Sequence, residues 1–267
     1  MRSYILIFDL DGVVYRGAQP VPTAVESINR LGLLGHRIYY LTNNSSQTRE
    51  SYRQKLADLG ICTDVEHIMT SAYATALVLK AERPEGAWVY VVGQEGIRQE
   101  LTDSGFRLTD PKRGDPADYV VVGIDRQFTY RKLTYAQHAI LKGACFIATN
   151  TDATFPAENT LMPGAGTIVA AIETATSVAP RVIGKPETTT IALILKACQG
   201  RPEEAVMIGD RLDTDVLVGR KAGLKTVLVM TGVTSWEELR SAPPEMQPDV
   251  VLERLDQLEG WLQNILV

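Results

Sequence analysis

Short apolar runs alternate along this chain with longer stretches in which apolar residues recur every three or four positions. The first run, Tyr4-Ile5-Leu6-Ile7-Phe8, carries no charge and predicts a strand over 4–8 that is covered on both faces, as strands of a parallel sheet are. The spacing then predicts a helix over 23–34, a strand over 37–41, a helix over 47–59 and another around 71–81. The same grammar returns near the end, with a helix over 188–198, a strand over 205–208, a helix over 215–222, a strand over 226–230, a helix over 236–241, a strand over 250–252 and a final helix over 255–266. Strands that alternate with helices imply parallel βαβ units, so these two separated stretches are expected to share one sheet. Trp261 and Leu262 are expected to pack the last helix onto it.

Between the two stretches, Arg83-Pro84-Glu85-Gly86 and Ala179-Pro180 punctuate the chain as linkers. The segment they bound has its own alternation: a strand over 88–92, a helix over 95–104 ended by Gly105, a strand over 119–122, a helix over 132–142, a strand over 145–148 and a helix over 167–175. The expected organisation is therefore a core of residues 1–83 and 180–267 with a smaller α/β cap, residues 84–179, inserted into it.

The strand ends carry the candidate chemistry. Asp9 and Asp11, in Phe8-Asp9-Leu10-Asp11-Gly12, follow the first strand, and in an open α/β sheet the ligand crevice lies beyond the carboxyl ends of the strands. Asp and Gly are also ordinary turn residues, so the pair needs company before it means catalysis. Thr42, Asn43 and Asn44 supply hydroxyl and amide groups at the end of the second strand, where they can serve an oxyanion, cap the next helix, or do both. Lys185, between Gly184 and Pro186, can offset an anion's charge at the return to the core. The run Gly209-Asp210-Arg211-Leu212-Asp213-Thr214-Asp215 ends another strand in three acids, whose repulsion calls for a hard cation such as Mg²⁺. Asp9 and Asp210 are the expected ligands, Asp215 a residue that orients them, and Asp213 an exposed or helix-capping acid.

Composition narrows the partners. With 32 acidic against 27 basic residues, the chain lacks the basic face that non-specific nucleic-acid binding needs. Cys62, Cys145 and Cys198 are widely spaced and lie in apolar contexts, which predicts reduced core thiols rather than disulfides or a zinc site. No basic-then-apolar leader opens the chain, and no run approaches the roughly 18 apolar residues of a membrane span. A cytoplasmic enzyme is the expectation, with neither nucleic acid nor membrane as partner.

Taken in order, Asp9-x-Asp11-Gly12, Thr42-Asn43-Asn44, Lys185-Pro186 and Gly209-Asp210-x4-Asp215 resemble the four motifs of the haloacid dehalogenase (HAD) superfamily over essentially the whole chain. Leu41-Thr42-Asn43-Asn44-Ser45, Gly123-x-Asp125-Arg126-x-Phe128-x-Tyr130-x-Lys132-Leu133, Ala148-Thr149-Asn150-x-Asp152 and Pro163-Gly164-x-Gly166 are similar to its NagD/p-nitrophenylphosphatase branch. The resemblance implies an α/β fold, a doubly wound parallel-sheet Rossmannoid core with the large inserted α/β cap of that branch. It further implies a Mg²⁺-dependent phosphatase that works through an aspartyl-phosphate, with p-nitrophenyl phosphate as an artificial substrate. Asp9 would be the nucleophile, Asp11 the general acid and base, and Lys185 the charge balance. Asp9, the Asp11 backbone carbonyl and Asp210 would hold the metal, with Asp215 beside them. Gly12, Thr42, Asn43 and Asn44, together with Lys185, would receive the phosphoryl group.

Selectivity would come from the cap, with 150–152 and 163–166 as candidate segments, and association of caps would make a homodimer. Phe155 stands where relatives directed to vitamin B6 phosphate carry His, which leans against that substrate. Phosphoglycolate, sugar, glycerol and nucleoside monophosphates all stay open as the small phosphorylated metabolite. A phosphomutase or phosphotransferase on the same core, and a non-catalytic binding protein, are the alternatives; the presence of every acid and of Lys185 offers the last no support.

Overall fold

The computed structural model describes residues 3–157 and 160–265. Along the chain run β1 (Ile5–Asp9), the short pair β2 (Tyr15–Arg16) and β3 (Gln19–Pro20), α1 (Ala24–Leu33), β4 (Arg37–Thr42), α2 (Arg49–Asp58), β5 (Ile68–Thr70) and α3 (Ser71–Glu82). The middle holds β6 (Trp88–Val92), α4 (Glu95–Asp103), β7 (Arg107–Leu108), β8 (Tyr119–Val122), α5 (Tyr130–Leu141), β9 (Cys145–Ala148), β10 (Thr154–Ala157), β11 (Thr160–Pro163), α6 (Ala165–Thr176) and β12 (Arg181–Val182). Then come α7 (Thr189–Ala197), β13 (Ala205–Gly209), α8 (Leu217–Lys221), β14 (Lys225–Val229), α9 (Trp236–Ser241), β15 (Val250–Leu252) and α10 (Leu258–Asn264).

Two parallel sheets result. The first has the order β15-β14-β13-β1-β4-β5 and the second β12-β9-β8-β6-β7, while β10 and β11 pair antiparallel on their own. In the first sheet the chain winds outward from β1 through β4 to β5, then returns on the other side of β1 with β13, β14 and β15. This reversal opens a crevice at the carboxyl end of β1, between the ends of β4 and β13.

Alternation along β1 explains why both faces of that sheet are covered. Leu6 and Phe8 join Ile28, Leu31, Leu258 and Leu262 on one face, with Trp261 packed against them, whereas Ile5 and Ile7 join Leu79, Ile191, Ile194 and Val218 on the other. That second cluster continues through Val89, Val91, Leu101 and Val121 into the middle module, so the two sheets share apolar packing. Tyr90, Val92, Val120 and Val122 face α5 and α6 instead. Helix starts follow their caps: α2 begins two residues later than the sequence predicts because Thr48 accepts the Ser51 N–H at 3.1 Å, and Thr70 caps α3 by accepting from Tyr73 N at 3.0 Å.

Several expectations need correction. β12 lies beyond the expected boundary at 180 yet pairs with β9, so the second sheet draws on the returning segment. The expected helix over 215–222 opens instead as a π-helical turn, Leu212–Val216, before α8, and the last helix is preceded by a 3₁₀ turn, Leu255–Gln257. Leu266, at the end of that expected helix, lies outside the described residues. The cysteines are free, as expected, but they are not core thiols: Cys62 and Cys145 are exposed and Cys198 is half-buried, because Cys62 lies in the loop after α2, Cys145 opens β9 and Cys198 caps the end of α7. Among the described residues no helix is long and apolar enough to cross a membrane.

Because Phe8 is fully buried in β1, truncation to Ala is expected to cost about 3–5 kcal/mol, whereas Leu33→Ala, at a side chain 90% exposed, should stay within about 0.5 kcal/mol. Urea unfolding monitored by circular dichroism measures both.

Candidate active site

The crevice at the end of β1 is a cavity of about 300 Å³. The first sheet contributes Asp9, Asp11, Thr42, Asn43 and Asn44 to its wall, the returning segment adds Lys185, Asp210, Arg211 and Asp215, and the middle module closes it with Arg126, Asp152 and Phe155 among others. All the sequence-predicted site residues except Gly12 thus converge here from strand ends far apart in the chain. Gly12 does not line the cavity but packs behind it, with a positive φ of 87°, and a Cβ there would fall on the Asp210 carboxylate. Only glycine satisfies both constraints.

Lys185 is the hub. Its Nζ donates to Asp9 Oδ1 at 2.5 Å and to Asp215 Oδ1 at 2.6 Å, and all three side chains are buried. Asp215 is fixed further, because its Oδ2 accepts the main-chain N–H groups of Asp210 and Arg211, each at 3.1 Å. The π-helical turn places that carboxylate under the end of β13 and leaves Asp213 outside, exposed and paired with Arg211 at 2.9 Å. Asp210 Oδ2 accepts from Val233 N at 2.8 Å, while its Oδ1 is buried and has no hydrogen-bond partner among the described residues.

Carboxylate oxygens of Asp9, Asp210 and Asp215 lie within 4.8 Å of one another. Three buried acids facing one ammonium, with an orphaned oxygen among them, form an all-oxygen donor set that fits a hard divalent cation. Electrostatics agree with an incomplete charge balance. Burial, opposed by Lys185 and reinforced by Asp215 and Asp210, pushes the Asp9 carboxyl well above the ordinary range. Burial and then repulsion from Asp215 push Asp210 up to about 7. Burial also works against the Lys185 charge, but the two flanking carboxylates outweigh it and hold the ammonium above the usual lysine range. Asp11 is half-buried and raised by burial, against the pull of Lys55 and Lys185.

The Thr42-Asn43-Asn44 segment divides its labour. Thr42 Oγ1 accepts from Asn44 N at 3.1 Å, and the residue lines the cavity. Asn43 is engaged on both ends of its amide: Oδ1 accepts Lys185 N at 2.8 Å, and Nδ2 donates to Lys185 O at 2.9 Å and to Asp152 at 3.0 Å. Asn44 Oδ1 accepts from Ser46 N at 2.9 Å and so shapes the loop. Sequence reasoning missed the loop after β14, where Gly232 packs against Asp210 and Val233 supplies an N–H to it. No local motif marks that loop; only its position after a parallel strand could have pointed to it.

Known proteins resemble this chain over nearly its full length. A haloacid dehalogenase-like hydrolase family model matches residues 6–107, and a HAD-hydrolase-like model matches 182–258. An acid sugar phosphatase of Staphylococcus aureus is 36% identical over 262 residues, 97% of this chain and 100% of that protein. The p-nitrophenyl phosphatase of Archaeoglobus fulgidus superposes with a TM-score of 0.90 at 34% identity, covering 97% of this chain and 100% of that one. A glycerol phosphate phosphatase from Mycobacterium tuberculosis in complex with magnesium gives a TM-score of 0.88 at 35% identity, over 96% of this chain and 76% of that one.

With a chelator present, folded Asp210 keeps its proton to about pH 7, whereas in an unfolded chain it loses it near 3.9. The native state therefore binds more protons than the unfolded state between about pH 4 and pH 7, and this group's contribution falls as pH rises through that window. Asp210→Asn is expected to become progressively more stable than wild type across it, by on the order of 4 kcal/mol at the alkaline end. Urea unfolding at pH 5 and pH 8 in chelator reads the difference, and a gap that narrows toward pH 8 contradicts it.

Proposed function

The chain belongs to the haloacid dehalogenase-like hydrolases and is a phosphatase of that family, and we propose that it removes the phosphoryl group of a small metabolite by way of an aspartyl-phosphate on Asp9. The observation that carries this reading is the buried Lys185 ammonium shared by Asp9 and Asp215 at the wall of a cavity. Lys185 engages Asp9 Oδ1 and leaves Oδ2 for in-line attack on phosphorus. The same ammonium offsets the charge of the incoming phosphoryl oxygens, which also receive the Thr42 hydroxyl and the main-chain N–H groups of the Asn43 region. The Asn43 side chain, committed elsewhere, acts by holding the Lys185 backbone.

Asp11 follows Asp9 by two positions, and its raised pKa suits a carboxyl that must arrive protonated. It would give that proton to the leaving oxygen, then take one from the water that hydrolyses the aspartyl-phosphate. The orphaned Asp210 oxygen, Asp9 and the Asp11 main-chain carbonyl would hold Mg²⁺, with Asp215 orienting them. Bound there, Mg²⁺ supplies positive charge that lets two anions approach and stabilises the transferring group.

The inserted segment 84–179, extended by β12, acts as the cap in this reading. It covers the cavity with Ile124, Arg126, Asp152 and Phe155, so the alcohol of the substrate is chosen there and the phosphoryl group in the core. The names of the sugar and glycerol phosphate phosphatases make small polyol phosphates the first substrates to try.

Asp9→Asn should lower turnover of p-nitrophenyl phosphate with Mg²⁺ at least about 10³-fold, the loss expected when a covalent route is removed. Appreciable residual turnover would sink the mechanism. Asp11→Asn should lower kcat by about 10²–10⁴-fold while the Mg²⁺-induced rise in Tm persists, since its main-chain carbonyl is unaltered. Removing Mg²⁺ with a chelator should abolish activity, and adding it back should restore it.

A further inference from the structure

Three cationic side chains among the described residues line the cavity: Lys185, Arg211 and Arg126. Lys185 is consumed by Asp9 and Asp215, and Arg211 by Asp213. Arg126 has no carboxylate partner among the described residues. Its neighbour Asp125 is not available, because Lys132 Nζ takes one oxygen at 2.5 Å and Gln127 N the other at 2.9 Å.

Arg126 is nevertheless held in place. Nη1 donates to Gln94 Oε1 at 2.9 Å, and the guanidinium carbon stands 5.2 Å from the centroid of the Phe155 ring. A neutral acceptor and an aromatic face orient the fork without neutralising it, and four of its five N–H donors have no partner among the described residues. A pre-oriented guanidinium of this kind matches the planar oxygens of a carboxylate or phosphate. It also lies on the cap side of the cavity, with Phe155, whereas the residues read as receiving the phosphoryl group come from the core.

Resting on the phosphatase reading above, we propose that Arg126 selects phosphomonoesters whose alcohol carries a second anionic group, with Phe155 and Gln94 positioning the fork. The shared chemistry is a second oxyanion, supplied by a carboxylate or by another phosphate. Neutral polyol phosphates fill the same cavity but leave the guanidinium unpaired.

Matched substrates separate these possibilities: glycerol 3-phosphate against 3-phosphoglycerate for the carboxylate, and glucose 6-phosphate against glucose 1,6-bisphosphate for the second phosphate, with p-nitrophenyl phosphate reporting the chemistry of the core. The wild type should show a higher kcat/KM for the anionic member of at least one pair, and the pair that does so identifies the oxyanion. Arg126→Gln should reduce that preference about ten- to a hundredfold, the range expected for a charge-assisted hydrogen-bonded pair, and Arg126→Lys should fall between. No anionic preference in the wild type, or an equal fall for both members in Arg126→Gln, overturns the assignment while leaving the phosphatase reading intact. A wild type that hydrolyses none of the five phosphates overturns that reading and this assignment together.

Discussion

The buried ammonium of Lys185 is the interaction on which the site depends. Burying a carboxylate without a partner is costly, and here Asp9, Asp210 and Asp215 are all buried within a few ångströms. One lysine bonded to two of them makes the arrangement possible, and the charge that remains favours a cation beside Asp210. Everything near Lys185 serves to hold it: Asn43 brackets its main chain on both sides, and the Asp210 and Arg211 N–H groups fix the Asp215 carboxylate that receives it. Gly12 and Gly232 complete the arrangement by leaving room for the Asp210 carboxylate.

The middle module is bound into this arrangement and does not merely cover it. The loop after β4 receives Gly96 N and Ile97 N from the start of α4 on the carbonyls of Ser46 and Ser45, and Asn150 Nδ2 on the carbonyl of Asn43. Arg49 reaches Glu100 at 2.9 Å while lying over the Tyr73 ring. Together with the apolar cluster that runs from Ile5 and Ile7 to Val89 and Val91, these bonds tie the loop after β4 to both sheets. The cavity residues of the middle module, Arg126, Asp152 and Phe155, are therefore held in register with those of the core.

Elements with enough length to show a period were legible in advance. β1, β4, β6, β8, β9, β13 and β14 fall where apolar runs predict them, within a residue, and the three-residue β15 does so because Val250-Val251-Leu252 is wholly apolar. The two- and three-residue strands β2, β3, β5, β7 and β12 were not, since so few positions carry no alternation and their pairing is set by neighbours. The stretch from Asp210 to Asp215 reads as a helix start with surplus acids; its π-helical turn follows from the hydrogen bonds that bury Asp215 and leave Asp213 in solvent.

The sequence by itself determined that acids stand at the ends of covered strands, because a strand's period and its terminating turn are local properties of a few residues. It also determined the βαβ order, and with it the crevice beside β1. Tertiary structure decided who partners whom. Asn43 meets the backbone of Lys185 across 142 positions and the Asp152 carboxylate across 109, and Lys185 meets Asp9 across 176. Such pairings are fixed by packing two sheets against each other, and no local spacing encodes them. The same packing leaves Arg126 as the cavity's cation without a carboxylate among the described residues.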